Sequence, residues 1–234
     1  MNNSFNQPIM KKLACIFLFS LLVSFSLVAQ VSIGLKAGGA LSGHAYESIG
    51  LGESDFVKPT YLGGLFVSIP LTDKFSIQPE VLYSNKGFRT GRPEIPGGRV
   101  GDRLYFNLRY VNVPIMLQYH VLDRLTVELG PELGYLLGSS SEIGMFNLFT
   151  QSSTSFDELL SSYRDFDVAL NLGIGYALSD RWSVNLRYNL GLRDITDDYT
   201  IMAITEPGGQ PEPFLVSGST YNRSVQLSVG LRIF

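Results

Sequence analysis

"LNLGIGYALSDRWSVNLRYNLGL" occupies residues 170–192. Leu170, Leu172, Ile174 and Tyr176 alternate with Asn171, Gly173 and Gly175. After "SDR" the pattern resumes: Trp182, Val184, Leu186, Tyr188 and Leu190 alternate with Ser183, Asn185, Arg187, Asn189 and Gly191. Successive side chains of a strand point to opposite faces, so this period of two marks two strands. The polar turn between them makes the pair an antiparallel hairpin. Each strand has one apolar face and one face of small, amide and charged residues.

The same two-faced pattern recurs along the chain. It predicts strands at Val31 to Leu41, Thr60 to Ile69, Phe75 to Ser84, Tyr110 to His120, Leu125 to Leu137, Phe166 to Leu178, Trp182 to Leu192 and Tyr221 to Phe234. The links after the second, fourth and sixth strands are short ("PLTDK", "VLDR", "SDR"). Those after the first, third, fifth and seventh are long, at roughly 42–59, 85–104, 138–164 and 193–219. All long links therefore open on one side, and both chain ends lie on the other. Outer-membrane barrels pair short periplasmic turns with long extracellular loops in this way.

Composition narrows the classes. Of 234 residues, 45% are hydrophobic, 24 are glycine and only 17% are charged, against about 25% charged in soluble domains. The net charge of −3 offers no basic footprint for nucleic acid. "MKKLACIFLFSLLVSFSLVAQ" (residues 10–30) carries two lysines and then an apolar stretch, the form of a signal peptide. Residues 1–29 are expected to be the signal and 30–234 one barrel domain. Cys15, the single cysteine, falls within that signal, so the remainder expects no disulfide.

An eight-stranded up-and-down barrel is either soluble, with its apolar face inside, or membrane-embedded, with the faces exchanged. The polar face decides. It is rich in glycine, serine and alanine (Gly64, Gly130, Gly173, Gly175, Gly230, Ser76, Ala169, Ser228), which suits a narrow interior. Its few charges are of both signs: Lys36, Arg187 and Arg232 against Glu80, Glu128, Glu132 and Asp167. Enclosed in a lumen, they must pair, because an isolated buried charge is very costly. The apolar face has no charge mid-strand and carries aromatics at its ends. Phe75, Tyr119, Tyr176 and Trp182 lie beside the short turns; Tyr61, Tyr83, Tyr135 and Tyr188 lie toward the long loops. Two aromatic belts around an aliphatic band match the two interfaces of a bilayer. The expected fold is all-β: an eight-stranded antiparallel up-and-down transmembrane β-barrel.

The stretches "DKFSIQPEVLYSNKG", "YVNVPIMLQYH", "LTVELGPELGYLL" and "LNLGIGYALSDRWSVNLRYNLGL" resemble the PorT-like outer-membrane β-barrel proteins of Bacteroidota, often labelled "porin family". The resemblance spans essentially the whole barrel region and rests on strand patterns, not on catalytic signatures. It implies an outer-membrane location and little about activity; one family member is associated with protein secretion. It also implies that a C-terminal aromatic strand, here ending in Phe234, is the insertion signal read by the barrel-assembly machinery. Val225, Leu227, Val229, Leu231 and Ile233 form the outward set, which leaves Phe234 one step out of phase. Either a bulge re-aims Phe234, or Ile233 faces the membrane and Phe234 caps the rim.

No catalytic, cofactor or metal signature is present. The two histidines are His44, in the first long link, and His120, inward at the short-turn end. They form no ligand cluster. No G-x-S-x-G, P-loop or dinucleotide fingerprint occurs, and "GLGESD" (residues 50–55) is too poor in ligands for a calcium loop. Glu128 and Glu132 lie side by side on one inward face, either as a carboxylate pair or cation site, or as members of a lumenal ion network with Arg187, Arg232 and Lys36. In the third link Ser155 and Glu158 suggest a capping box and a short helix over 156–163. In the second, "RTGRPEIPGGRVGDR" could meet anionic glycans. The expected function is a non-enzymatic outer-membrane protein with a filled polar lumen. Its partners are the bilayer, the assembly machinery during insertion and a protein or glycan at the extracellular loops. The alternative is a component of a transport or secretion machine.

Overall fold

The computed structural model describes residues 31–47, 57–89, 94–95, 99–100, 104–143, 162–203, 212–216 and 218–234. The expected signal segment, the Gly50–Asp55 stretch, the Ser155/Glu158 box and most of the arginine-rich stretch of the second long link lie outside these residues.

Eight strands close into one antiparallel barrel. They are β1 (Ser32–Glu47), β2 (Lys58–Pro70), β3 (Phe75–Arg89), β6 (Leu104–His120), β7 (Leu125–Ile143), β8 (Phe166–Ala177), β9 (Trp182–Gly191) and β12 (Ser219–Arg232). The order around the barrel is β1-β12-β9-β8-β7-β6-β3-β2. Closure comes from β1, which pairs with β2 on one side and β12 on the other. The barrel itself leaves no strand edge open to recruit another chain. Two small hairpins, β4 (Glu94–Ile95) with β5 (Arg99–Val100) and β10 (Tyr199–Ala203) with β11 (Glu212–Val216), occupy the second and fourth long links.

The apolar face is on the outside. In β8, Leu172 is 55% exposed while its neighbour Asn171 is fully buried. The whole strand alternates in this way. Leu65, Val81, Ile115, Leu129, Leu186 and Leu227 are exposed around the wall; Gln78, Glu80, Asn112, Asn189 and Gln226 are buried within it. The barrel is thus inverted relative to a soluble one, and its outer surface is built for lipid. The strand register draws both aromatic belts. Phe75 pairs with Tyr119, their ring centroids 5.0 Å apart, beside the short turns. Toward the long links one row runs Tyr83, Val111, Tyr135, Phe166, with the last two rings 5.3 Å apart. Phe75 and Tyr83 are separated by about 26 Å along the strand, or about 20 Å along the membrane normal at the usual barrel tilt.

Several strands extend past the point where the alternation suggests they end. β1 continues to Glu47, β3 to Arg89 and β7 to Ile143, while β2 begins at Lys58 and β6 at Leu104. Above the outer aromatic belt the outward face no longer meets acyl chains, so nothing selects apolar residues there and the sequence signal fades. The extensions carry His44, Lys58 and Lys86 into the barrel wall, although the sequence pattern places all three in long links. Tyr163, expected to end a helix, instead forms an isolated bridge with Thr196.

Candidate functional site

The lumen holds the chemistry, and the register explains how. Across five adjacent strands one row reads Gln118, Glu128, Gly173, Arg187, Gln226. Gly173 stands between acid and base, so nothing blocks Arg187 from reaching over it: its Nε donates to Glu128 Oε1 at 3.0 Å. A Cβ on Gly173 would sit 2.9 Å from that same oxygen. On its other side Arg187 donates through Nη2 to Glu80 Oε1 at 3.0 Å and through Nη1 to Glu80 Oε2 at 3.2 Å. Lys36 Nζ completes the cluster with a 2.5 Å bond to Glu80 Oε1 and lies 5.7 Å from the Phe66 ring centroid. All four charged side chains are almost fully buried. Two cations oppose two carboxylates, so the cluster is neutral. Gln78 donates to Glu80, and Gln118 to Glu128, which occupies further acceptor positions.

A second cluster lies nearer the long links. Lys86 Nζ donates to Glu132 Oε1 at 3.1 Å and to Asp167 Oδ2 at 3.2 Å, and lies 5.3 Å from the Tyr110 ring centroid. Asn171 donates to Glu132, and Asn222 to Asp167, both at 2.9 Å. Glu128 and Glu132 therefore belong to different clusters, each with its own cation, and not to one carboxylate pair. The structure brings Lys36, Glu80, Glu128 and Arg187 together, and Glu132 with Asp167. Arg232 joins neither. It is the last residue of β12, so although its parity is inward its side chain emerges at the rim and is exposed. Lys86, the cation that replaces it in the network, sits after the polar "SN", where the sequence reads as a loop; only its continued even spacing from Leu82 and Ser84 marks it as inward.

Toward the short turns the polar network continues without charge. Ser76 Oγ donates to Gln118 Oε1 and lies 3.0 Å from His120 Nε2, while His120 Nδ1 lies 3.2 Å from Thr126 Oγ1. The Ser76 hydroxyl is thus shared between Gln118 and His120, and the His120 ring lies between two hydroxyl groups. At the opposite end the lumen turns aromatic. Phe88 stacks on Phe106 at 4.6 Å, and the buried His44 ring lies 4.6 Å from Phe88 and 6.2 Å from Tyr163. Tyr163 and Ile195, from two different long links, pack with Leu108 and Tyr110. A strap across the mouth holds them there. Arg164 N–H donates to Ile195 O, Ile195 N–H to Thr220 O and Asp197 N–H to Ser162 O. Asp194 Oδ1 accepts from the backbone of Thr196 and Thr220. Arg164 pairs with Asp197 at 2.7 Å and Asp194 at 3.5 Å; the Asp197 hydrogen bond foremost raises its guanidinium above the ordinary value.

At the chain's end, Ile233 N–H and Phe234 N–H both donate to Ile33 O, at 2.8 and 3.4 Å. Two residues opposite one is the β-bulge pattern. Both side chains are exposed, Phe234 to 83%. Among the described residues no three His, Cys, Asp or Glu side chains gather as a metal-ligand set.

Over residues 23–197 the sequence matches the family model of the outer membrane protein beta-barrel domain. The chain belongs to that family. It is an outer-membrane protein, and its barrel crosses the bilayer with strands; among the described residues no helix is long and apolar enough to do so. Similar solved structures include Neisserial surface protein A, at 12% identity and a TM-score of 0.49, with 88% of this chain and all of that one covered. A major outer membrane protein from Thermus thermophilus shows 10% identity and a TM-score of 0.45 over the same shares. Ail, the attachment invasion locus protein of Yersinia pestis, shows 10% and 0.41, again over the same shares. None of the curated proteins matches the chain.

Proposed function

We propose that this protein is a non-enzymatic, PorT-like outer-membrane barrel whose lumen is a structural core, and that its biological contacts are made by the parts outside the bilayer. One observation carries this reading: the conduit is obstructed twice. The Arg187–Glu80 pair bars the lumen at mid-height, and the Tyr163/Ile195 strap covers the mouth. An eight-stranded wall leaves little room to bypass either. The two histidines support the non-enzymatic part, since His44 packs among aromatic rings and His120 is held between two hydroxyls. The test is conductance of the purified protein in planar bilayers. The expected result is no steady current; porin-sized steps would overturn the reading.

The second reading, a component of a transport or secretion machine, draws on the PorT-like strand motifs and on the short-turn face. The turns after β2, β6 and β8 repeat one design. Leu71, Val121 and Leu178 each donate to the carbonyl four residues on, and Asp73–Lys74, Asp123–Arg124 and Asp180–Arg181 follow. Leu71, Val121, Leu122 and Leu178 are all exposed there. Crosslinking in intact envelopes separates the readings. A stoichiometric periplasmic partner attached through these turns favours the machine, and crosslinks confined to the long links favour loop-mediated binding.

A further inference from the structure

A cavity of about 360 Å³ opens at the short-turn end of the barrel. Its floor includes Lys36, Gln118 and His120, and its rim carries Arg124, Arg181 and Arg232. These three arginines are neighbours through the backbone. Ala177 N–H donates to Arg124 O, which sets the second short turn against the third, and Arg232 N–H donates to Arg181 O. They form an arc along β7, β8, β9 and β12. Among the described residues none of the three forms an ion pair. Asp123 and Asp180 share the rim but lie beyond ion-pair distance of any of them, so three guanidinium groups face two carboxylates. The Lys36 ammonium is committed to Glu80. A cavity of this size suits a small molecule. Several arginines lining one cavity suit a phosphate, which a guanidinium binds in bidentate fashion.

We propose that this vestibule binds a phosphate group presented at the short-turn, periplasmic side, with Arg124, Arg181 and Arg232 as its ligands. The arginines face the mouth of the cavity, and the mouth lies at the level of the inner-leaflet headgroups. A phosphate carried by a small soluble molecule and a phosphate carried by an anionic phospholipid therefore offer the same chemistry. Lys74, the basic residue of the remaining short turn, does not line the cavity and serves as the internal control.

The experiment follows backbone amide NMR signals of the short turns in the full chain, which the arginine variants retain. One arm titrates inorganic pyrophosphate into protein in a zwitterionic detergent; the other compares nanodiscs of phosphatidylcholine with and without phosphatidylglycerol. Saturable shifts with pyrophosphate at about 1 mM or below identify a soluble source, and saturable shifts only with phosphatidylglycerol identify a lipid source. In either arm Arg124→Gln/Arg181→Gln/Arg232→Gln should weaken binding about tenfold or more, Arg232→Gln alone should weaken it measurably, and Lys74→Gln should leave it unchanged. The rim is solvated, so unchanged thermal unfolding is expected and checks that the variants are folded. No saturable shift in either arm, or equal affinity in the triple variant, overturns the proposal.

Discussion

Arg187 and Glu80 face each other across the lumen from β9 and β3, which stand four strands apart in a ring of eight, and two parallel hydrogen bonds of 3.0 and 3.2 Å join them. The pair ties opposite walls together. A protein embedded in lipid gains little from burying its apolar outer face, since acyl chains are as apolar as the side chains they meet. Much of the cohesion between distant strands must then come from the interior, and here that interior is ionic.

Removing one partner of such a cluster leaves a buried charge uncompensated. Glu80 serves two cations, Lys36 and Arg187, whereas Glu128 serves only Arg187. Glu80→Ala should therefore destabilise the barrel more than Glu128→Ala. About 3–5 kcal/mol is expected for the former, the range for breaking a buried pair, and less for the latter, because Arg187 keeps Glu80. Equilibrium urea unfolding in detergent micelles measures both. Equal losses would show that Lys36 does not depend on Glu80.

Lys86 has the inverse arrangement, one cation between Glu132 and Asp167. Lys86→Met should leave two facing carboxylates without a counter-charge, a loss of about 3–5 kcal/mol. Adding Glu132→Gln and Asp167→Asn to Lys86→Met should recover most of it, since neutral amides can still bond to Asn171 and Asn222. Thermal melts of the single and triple variants check this. A triple variant no more stable than Lys86→Met would argue that packing against Tyr110, not charge, is the contribution of Lys86.

The mouth strap makes a local prediction. Asp194 Oδ1 holds the backbone N–H groups of Thr196 and Thr220, and each such charge-assisted bond is worth about 1.5–3 kcal/mol. Asp194→Ala should loosen the strap while the wall stays intact. Amide exchange at Thr196 and Thr220 should accelerate at least about tenfold, with exchange at Leu172 and Leu186 unchanged. A uniform acceleration would mean that the strap and the barrel open as one unit.

Much of this fold was legible in the sequence because a lipid-facing wall imposes a strict rule: every second residue from Leu170 to Tyr176 or from Val225 to Ile233 must be apolar. The rule also assigned Glu80, Glu128 and Arg187 to one interior. It stopped where its cause stops. Beyond the belt of Tyr83 and Tyr135 the outer face meets water, and both faces of "SNKGFR" and "SGHAYE" are polar or mixed, so Lys86 and His44 read as loop although both are inside. Arg232 illustrates the converse. Parity alone placed it inward, but parity carries no information about height, and the last residue of a strand has solvent within reach. Which cation serves which carboxylate depends on register across strands distant in sequence, and alternation within single strands does not encode it.

Register also makes Gly173 a position of consequence. It lies between Glu128 on β7 and Arg187 on β9, and the Glu128 side chain borders the space that a Cβ would fill. An added methyl would lie 2.9 Å from Glu128 Oε1, 3.1 Å from Glu128 Cγ and 2.7 Å from the Leu186 carbonyl oxygen. The first two contacts can give way by moving the carboxylate; the third is backbone and cannot move without bending β9. Gly173→Ala should therefore cost about 1–3 kcal/mol through overpacking, and Gly173→Val more. Part of this cost should arise from displacement of Glu128 away from Arg187. A double-mutant cycle separates the two components: in a Glu128→Ala background the Gly173→Ala penalty should fall, because no carboxylate has to move. Additive losses would place the whole cost on the Leu186 backbone contact and would show that strand spacing alone, not the ion pair beside it, requires glycine at this position.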